Sequence, residues 1–134
     1  MSDGRLYLNI KGEFMVNMLN IVFIALIILF ILWRILPAKG VRQITAAQLK
    51  DELADRNKQF IDVRSPREFK ANHIRGFRNI PLDQLRLSSD SLLKDQEVVL
   101  ICQSGMRSSK AGTLLKKSGF EKVTNVKGGM STWS

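Results

Sequence analysis

The sequence predicts an α/β domain, a parallel sheet with helices on both faces, preceded by one transmembrane helix. Three observations carry this. Phe14 to Trp33 is a run of about twenty residues without a charge, the length that crosses a bilayer's hydrocarbon core as a helix. Beyond it, short apolar runs of β-branched character alternate with segments opened by helix-capping signals, the pattern of a sheet covered by helices. The 134 residues suffice for one domain of ordinary size, and no internal repeat or low-complexity run interrupts them.

The leader, residues 1–13, balances Arg5 and Lys11 against Asp3 and Glu13 and matches no recognisable element; Met15 is a second candidate start. Residues 14–36 form the expected span, since twenty residues at the helical rise reach about 30 Å. Asn17 and Asn20 weaken only its first turn. A cleaved signal peptide would want a short basic leader and a small-residue cleavage site. The run ends instead in Trp33-Arg34, an interfacial pairing that suits a retained, single-pass anchor. Arg34, Lys39, Arg42 and Lys50 follow the span, against Arg5 and Lys11 before it, which places the carboxyl side in the cytoplasm.

Residues 37–40, Pro-Ala-Lys-Gly, have the breaker composition of a linker, and the folded domain is expected over 41–134. The chain carries 21 basic and 12 acidic residues, and all but Asp3, Arg5, Lys11, Glu13 and Arg34 fall after the span. A domain so basic suits anionic lipid headgroups and small anionic ligands. Nucleic acid is not an expected partner, because the cations are scattered and no aromatic-basic recognition motif accompanies them.

Val41–Ile44 reads as a short first strand, and Thr45-Ala46-Ala47-Gln48 as a capping box opening a helix that buries Leu49 and Leu53 and runs to about Asp55. Gln59–Val63 is the second strand. Ser65-Pro66-Arg67-Glu68 combines an N-cap serine, a proline at the first helical position and a glutamate at the third, predicting a helix to about Asn72. Leu82–Lys94 holds a helical turn or two, with Ser88–Asp90 as a cap region. Val98–Ile101 is a continuous apolar run suited to a strand buried on both faces. The helix that follows places Ala111, Leu114 and Leu115 at helical spacing and ends at Gly119; Val123–Val126 is the last strand.

Cys102, the chain's one cysteine, stands at the end of the Val98–Ile101 strand. Gln103, Ser104, Gly105, Met106 and Arg107 then make a compact turn. Gly105 is free to take the positive φ that points successive N–H groups inward, and Ser108 is placed to cap the next helix. The loop donors, the helix N-terminus and Arg107 together favour the thiolate, the nucleophilic form of cysteine, and would hold an anionic substrate beside it.

CQSGMRS, with Cys102, Gly105 and Arg107, resembles the active-site loop of the single-domain rhodaneses. The segment IDVRSPREFKANHIRGFRNIPL, Ile61–Leu82, is similar to that family's upstream signature at Asp62, Arg64, Glu68, His73, Gly76, Asn79 and Pro81. Asn72 and Phe77 depart from the usual glycine and alanine. Gly128-Gly129 with Trp133 resembles the closing motif, whose glycines permit close backbone approach while the Trp packs on the core. The resemblance implies a five-stranded rhodanese fold and a sulfurtransferase. Cys102 would take the outer sulfur of thiosulfate or a persulfide donor, become a persulfide itself, and pass that sulfur to cyanide or a thiol. Residues 103–107 would bind substrate through their N–H groups, with Arg107 attracting the anionic donor. It assigns His73 to a turn ahead of the third strand rather than to catalysis, and Asp62 and Arg64 to a structural pair.

Cysteine phosphatases set arginine at C-x5-R around a wider loop; the spacing here is C-x4-R, and Ser108 at the phosphatase position offers no phosphate fork. A buried, inert cysteine is the ordinary fate of a lone thiol, and a membrane-tethered docking module or persulfide carrier would carry nearly the same sequence. One cysteine and one histidine supply no zinc site, no cofactor is expected, and the sulfur acceptor comes from outside the chain.

Overall fold

The computed structural model describes residues 3–36 and 39–134 and divides the chain after Leu36. The first unit is a single helix, α1 (Asp3–Ile35). It takes in most of the leader as well as the expected span, because nothing between Asp3 and Phe14 stops a helix: there is no proline, and Gly4 and Gly12 only weaken it. None of its residues is buried, and it is long and apolar enough to cross a membrane. Pro37 and Ala38 of the expected linker lie outside the described residues; Lys39-Gly40 form a turn.

The second unit is a five-stranded, wholly parallel sheet with helices on both faces, as the sequence predicts. Its elements in chain order are β1 (Arg42–Ile44), α2 (Ala46–Glu52), β2 (Lys58–Asp62), α3 (Pro66–Ala71), β3 (Arg78–Asn79), α4 (Leu82–Ser88), β4 (Glu97–Ile101), α5 (Met106–Lys117) and β5 (Val123–Val126). Single 3₁₀ turns follow α4 at Ser89–Ser91 and β5 at Gly129–Thr132. The strand order is β1-β5-β4-β2-β3, so β4 lies at the centre, flanked by β2 and β5.

Alternation along β4 builds two cores. Val98, Leu100 and the residue after the strand, Cys102, join Leu85 of α4 and Ala111 and Leu115 of α5 on one face. Val99 and Ile101 join Leu49 of α2, Phe60, Phe77 and Met130 on the other, with Phe69 of α3 and Trp133 packed against them. Both capping boxes form. Thr45 accepts from the Gln48 N–H and Ser65 from that of Glu68, while each partner side chain returns to the cap's own N–H.

Some boundaries shift. β1 begins at Arg42 instead of Val41, and β2 runs one residue earlier than expected. The helix expected to reach Asp55 closes at Glu52, with Leu53 as its cap, because the Asp55 carboxylate accepts from Asn57 N–H and starts a turn.

Candidate active site

β4 delivers Cys102 to the carboxyl edge of the sheet, the side on which open α/β folds bind ligands. The thiol side chain is buried, while Gln103, Ser104 and Met106 are exposed around it. Gly105 takes φ +95°, and its N–H donates to Cys102 Sγ at 3.0 Å. It is the one N–H of residues 103–107 that the structure places on the sulfur. A side chain at Gly105 would also press against the Gly128 nitrogen.

Ser108 does not cap the helix. Gly105 occupies the N-cap position of α5, so Ser108 falls inside the first turn and points inward, fully buried. Its Oγ lies 3.3 Å from Cys102 Sγ and 3.1 Å from the Gly105 carbonyl oxygen. One hydroxyl proton thus has two acceptors, and an anionic sulfur is the stronger of them.

The loop is fixed from behind by the closing glycines. Met130 N–H donates to the Cys102 carbonyl at 2.8 Å and Ser131 N–H to that of Gln103 at 3.0 Å. Gly129, at φ +55°, makes this approach possible: a Cβ there would collide with the Cys102 carbonyl.

Arg107 departs from the expected role of an anion-seeking cation. Its two outer nitrogens donate to the two carboxylate oxygens of Glu68, each at 2.8 Å, a bidentate pair. Glu68 Oε2 also accepts from the Ser65 N–H and hydroxyl. The Arg107 guanidinium, helped by Ser65 and opposed by burial, holds the Glu68 carboxyl far below the usual carboxylate range, and Glu68 raises Arg107 in turn.

Arg64 and Asp62 form a buried pair at 2.9 Å. Arg64 also donates to the Asn72 carbonyl at 2.6 Å and reaches Gln103 Oε1 at 3.4 Å, while the Asn79 amide donates to the Asp62 and Arg64 carbonyls. This network joins the ends of β2, α3 and β3 to the loop. His73 is exposed, stacked on Phe69 at 3.9 Å, with Nδ1 2.8 Å from the Phe69 carbonyl. Beside Arg107 lies an open cleft of ≈ 450 Å³, lined by Val63, Pro66, Pro81 and Leu82 together with Ser65, Asp83, Gln84 and Arg107.

Comparison with known families matches residues 45–134 to the Rhodanese-like domain. The chain belongs to the rhodanese-like family. This rhodanese-like chain is 38% identical to an uncharacterised protein of Bacillus subtilis, YqhL, across 84% of its own length and 88% of that protein's. It is 37% identical to a putative sulfurtransferase of Bacillus subtilis, YtwF, covering 69% of the chain and 90% of the relative. Among solved structures, a rhodanese-like domain protein from Staphylococcus aureus superposes with TM-score 0.65 at 30% identity, covering 70% of this chain and 92% of that one.

Sequence reasoning brings Cys102, Gly105 and Arg107 into one loop but misses the Ser108 hydroxyl on the sulfur, the Glu68 carboxylate on Arg107 and the two N–H groups at Met130 and Ser131. Glu68 already had a complete local explanation as the partner of Ser65. For Ser108 a signal existed: residues 105 and 108 stand three apart, so a helix begun at Gly105 turns Ser108 back toward the strand end.

Proposed function

We propose that this rhodanese-like chain moves sulfane sulfur through a persulfide on Cys102, and that α1 anchors the domain to a membrane with the domain on the cytoplasmic side. The observation that carries the chemistry is Cys102 Sγ held by the Gly105 N–H and the Ser108 hydroxyl at the head of α5. Both donors serve an anionic sulfur, and neither needs to move during transfer.

The reaction is a double displacement. The Cys102 thiolate attacks the outer sulfur of thiosulfate or a persulfide, a new S–S bond forms at Cys102, and the donor's S–S bond breaks. The leaving sulfite or thiolate takes the electron pair. An acceptor, cyanide or a second thiol, then attacks the outer sulfur of the Cys102 persulfide and restores the thiolate, so no outside oxidant or reductant enters. Gln103, Ser104 and Met106 line the approach, and Arg107, held by Glu68, sets the loop's shape. As the chain has one cysteine, the acceptor is external.

The test is mass spectrometry of the full chain given thiosulfate or a hydropersulfide, with Cys102→Ser as control. Gain of one sulfur in the parent alone, discharged by cyanide or a thiol over repeated turnovers, supports the reading. Absence of gain from every donor in a folded protein overturns it. The burial of Cys102 favours the second reading, a persulfide carrier; that reading predicts loading with a single discharge to a partner and negligible turnover.

A further inference from the structure

We infer that α1 pairs inside the membrane with the α1 of a second copy of this chain, and that Asn17 and Asn20 form the seam. The inference rests on the reading of α1 as an anchor and names what that anchor binds besides lipid.

Within the uncharged run Phe14–Trp33, Asn17 and Asn20 are the polar residues apart from the Trp33 indole. They cannot be left outside the hydrocarbon. Ile21–Trp33 alone would reach about 20 Å, short of a core of roughly 30 Å, so the span has to begin near Phe14 and take both amides in. Asn20 then lies about 9 Å inside the amino-side edge, farther than its short side chain reaches back to water. Both residues are exposed on α1. A carboxamide facing lipid lacks hydrogen-bond partners and is costly there, and an amide on a neighbouring helix removes that cost.

The two amides do not stand alone on the helix. Two rows at i, i+4 spacing run side by side, Asn9-Glu13-Asn17 and Gly12-Val16-Asn20, and together they fill an arc of about 140°. Only Val16 among them is apolar with a side chain, whereas Phe14, Met18 and Val22 occupy the opposite face. Asn9, Gly12, Glu13, Val16 and Asn17 line one open groove on the helix surface. A Cβ at Gly12 would meet nothing within 4 Å, so its bareness serves no contact seen within this chain and leaves room for the backbone of another helix.

The partner that fits is a second copy. Asparagine donates and accepts through one group, so it is its own complement. The cations after Trp33 orient every copy alike, which makes two such helices parallel and sets Asn17 and Asn20 at equal depths in each. A two-fold axis along the bilayer normal then brings amide against amide in an isologous seam. Glu13 flanks that seam just outside the uncharged run, where water reaches its carboxylate.

The experiment is energy transfer between full chains labelled at the amino terminus with donor or acceptor dye, reconstituted in phosphatidylcholine vesicles over a range of protein-to-lipid ratios. The parent is compared with Asn17→Leu/Asn20→Leu and with Met18→Leu on the opposite face. Leucine makes the span more apolar, so a loss of transfer in the double variant is not a loss of insertion. Expected is association in the parent, weakened about tenfold or more in the double variant and unchanged in Met18→Leu. In a Cys102→Ser background, oxidation of Val16→Cys is expected to give a disulfide-linked species of twice the chain mass, and Met18→Cys none. A parent that stays in the vesicles but is monomeric at every ratio, or transfer unmoved in the double variant, overturns the inference and leaves the anchor standing. A monomeric parent whose Val16→Cys form joins a protein of another mass in cell membranes overturns the second copy as the partner. Release of the full chain by an alkaline wash overturns the anchor and the inference with it.

Discussion

At Cys102 the sulfur has two donors, and they are unequal in what their loss would do. The Gly105 N–H belongs to the backbone and survives most substitutions, but the Ser108 hydroxyl does not. A hydrogen bond to a charged group is worth about 1.5–3 kcal/mol, so Ser108→Ala is expected to slow persulfide formation by roughly tenfold to a hundredfold while the fold persists. Rates of mass gain at Cys102 together with a thermal melt check this; an unchanged rate would mean that the hydroxyl serves the Gly105 carbonyl instead. Gly129→Ala acts differently, because the new Cβ collides with the Cys102 carbonyl at a positive φ. It is expected to lower stability by about 2 kcal/mol or more and to displace the loop, read as a fall in thermal midpoint with loss of Cys102 reactivity. The nucleophile and the loop glycine were legible in the sequence because their signals are local. The Arg107–Glu68 pair was not, since its partners stand 39 residues apart and meet only once β2 and β4 lie side by side.

Among the elements, α3 shows how a short helix gains a second role. Six residues hardly sustain a helix, yet Ser65, Pro66 and Glu68 fix its first turn, and the same Glu68 carboxylate reaches Arg107 at the head of α5. Local capping and long-range pairing thus share one side chain. At the opposite end of the sheet, Arg42, Glu52, Lys58, Glu97 and Thr124 tie α2, β1, β2, β4 and β5 together. Hydrogen bonds from Lys58 and Arg42 lower the Glu52 carboxyl against the opposing effect of burial, and those from Thr124, Arg42 and Lys58 do the same for Glu97. A carboxyl whose folded value lies below its unfolded value, here 4.5, contributes stability that is complete above that value. Below it the unfolded chain binds the extra protons, so Glu52, Glu68 and Glu97 all make stability fall as the pH drops from 4.5 toward their folded values. Denaturant melts across that range are expected to show the slope, and Glu97→Gln to flatten it; a slope unchanged in the variant would refute the assignment. Most strands and both capping boxes were legible from apolar runs and N-terminal signals. Boundaries such as that of α2 were not, because side-chain turns at Asp55 compete with the helix over a single residue.

For the whole molecule, the deciding comparison is between α1 and the thickness of a bilayer. Thirty-three residues at the helical rise reach about 50 Å, more than the roughly 30 Å of hydrocarbon core, and the uncharged stretch Phe14–Trp33 accounts for that core. The remainder is Asp3–Glu13 at one end and Arg34 and Ile35 at the other, and Asp3, Arg5, Lys11 and Glu13 make the longer of these polar enough for the interface or the water beyond it. Leu19, Ile21, Phe23 and Ile24 are exposed along α1, and in water this length of apolar surface would drive association or aggregation. The full chain is accordingly expected to stay with membranes through an alkaline wash, and deletion of residues 14–36 to release it. The cations after Trp33 further predict that protease added to inverted membrane vesicles digests the domain, while right-side-out vesicles protect it. Buried Cys102 is a poor topology reporter, which makes protease access the better readout. Release of the full chain by alkali would overturn the anchor and leave the sulfur-transfer reading standing, since the donors to Cys102 Sγ come from Gly105 and Ser108. Digestion in right-side-out vesicles alone would keep the anchor and reverse its orientation, placing the single thiol in an oxidising compartment where it would need protection from disulfide formation.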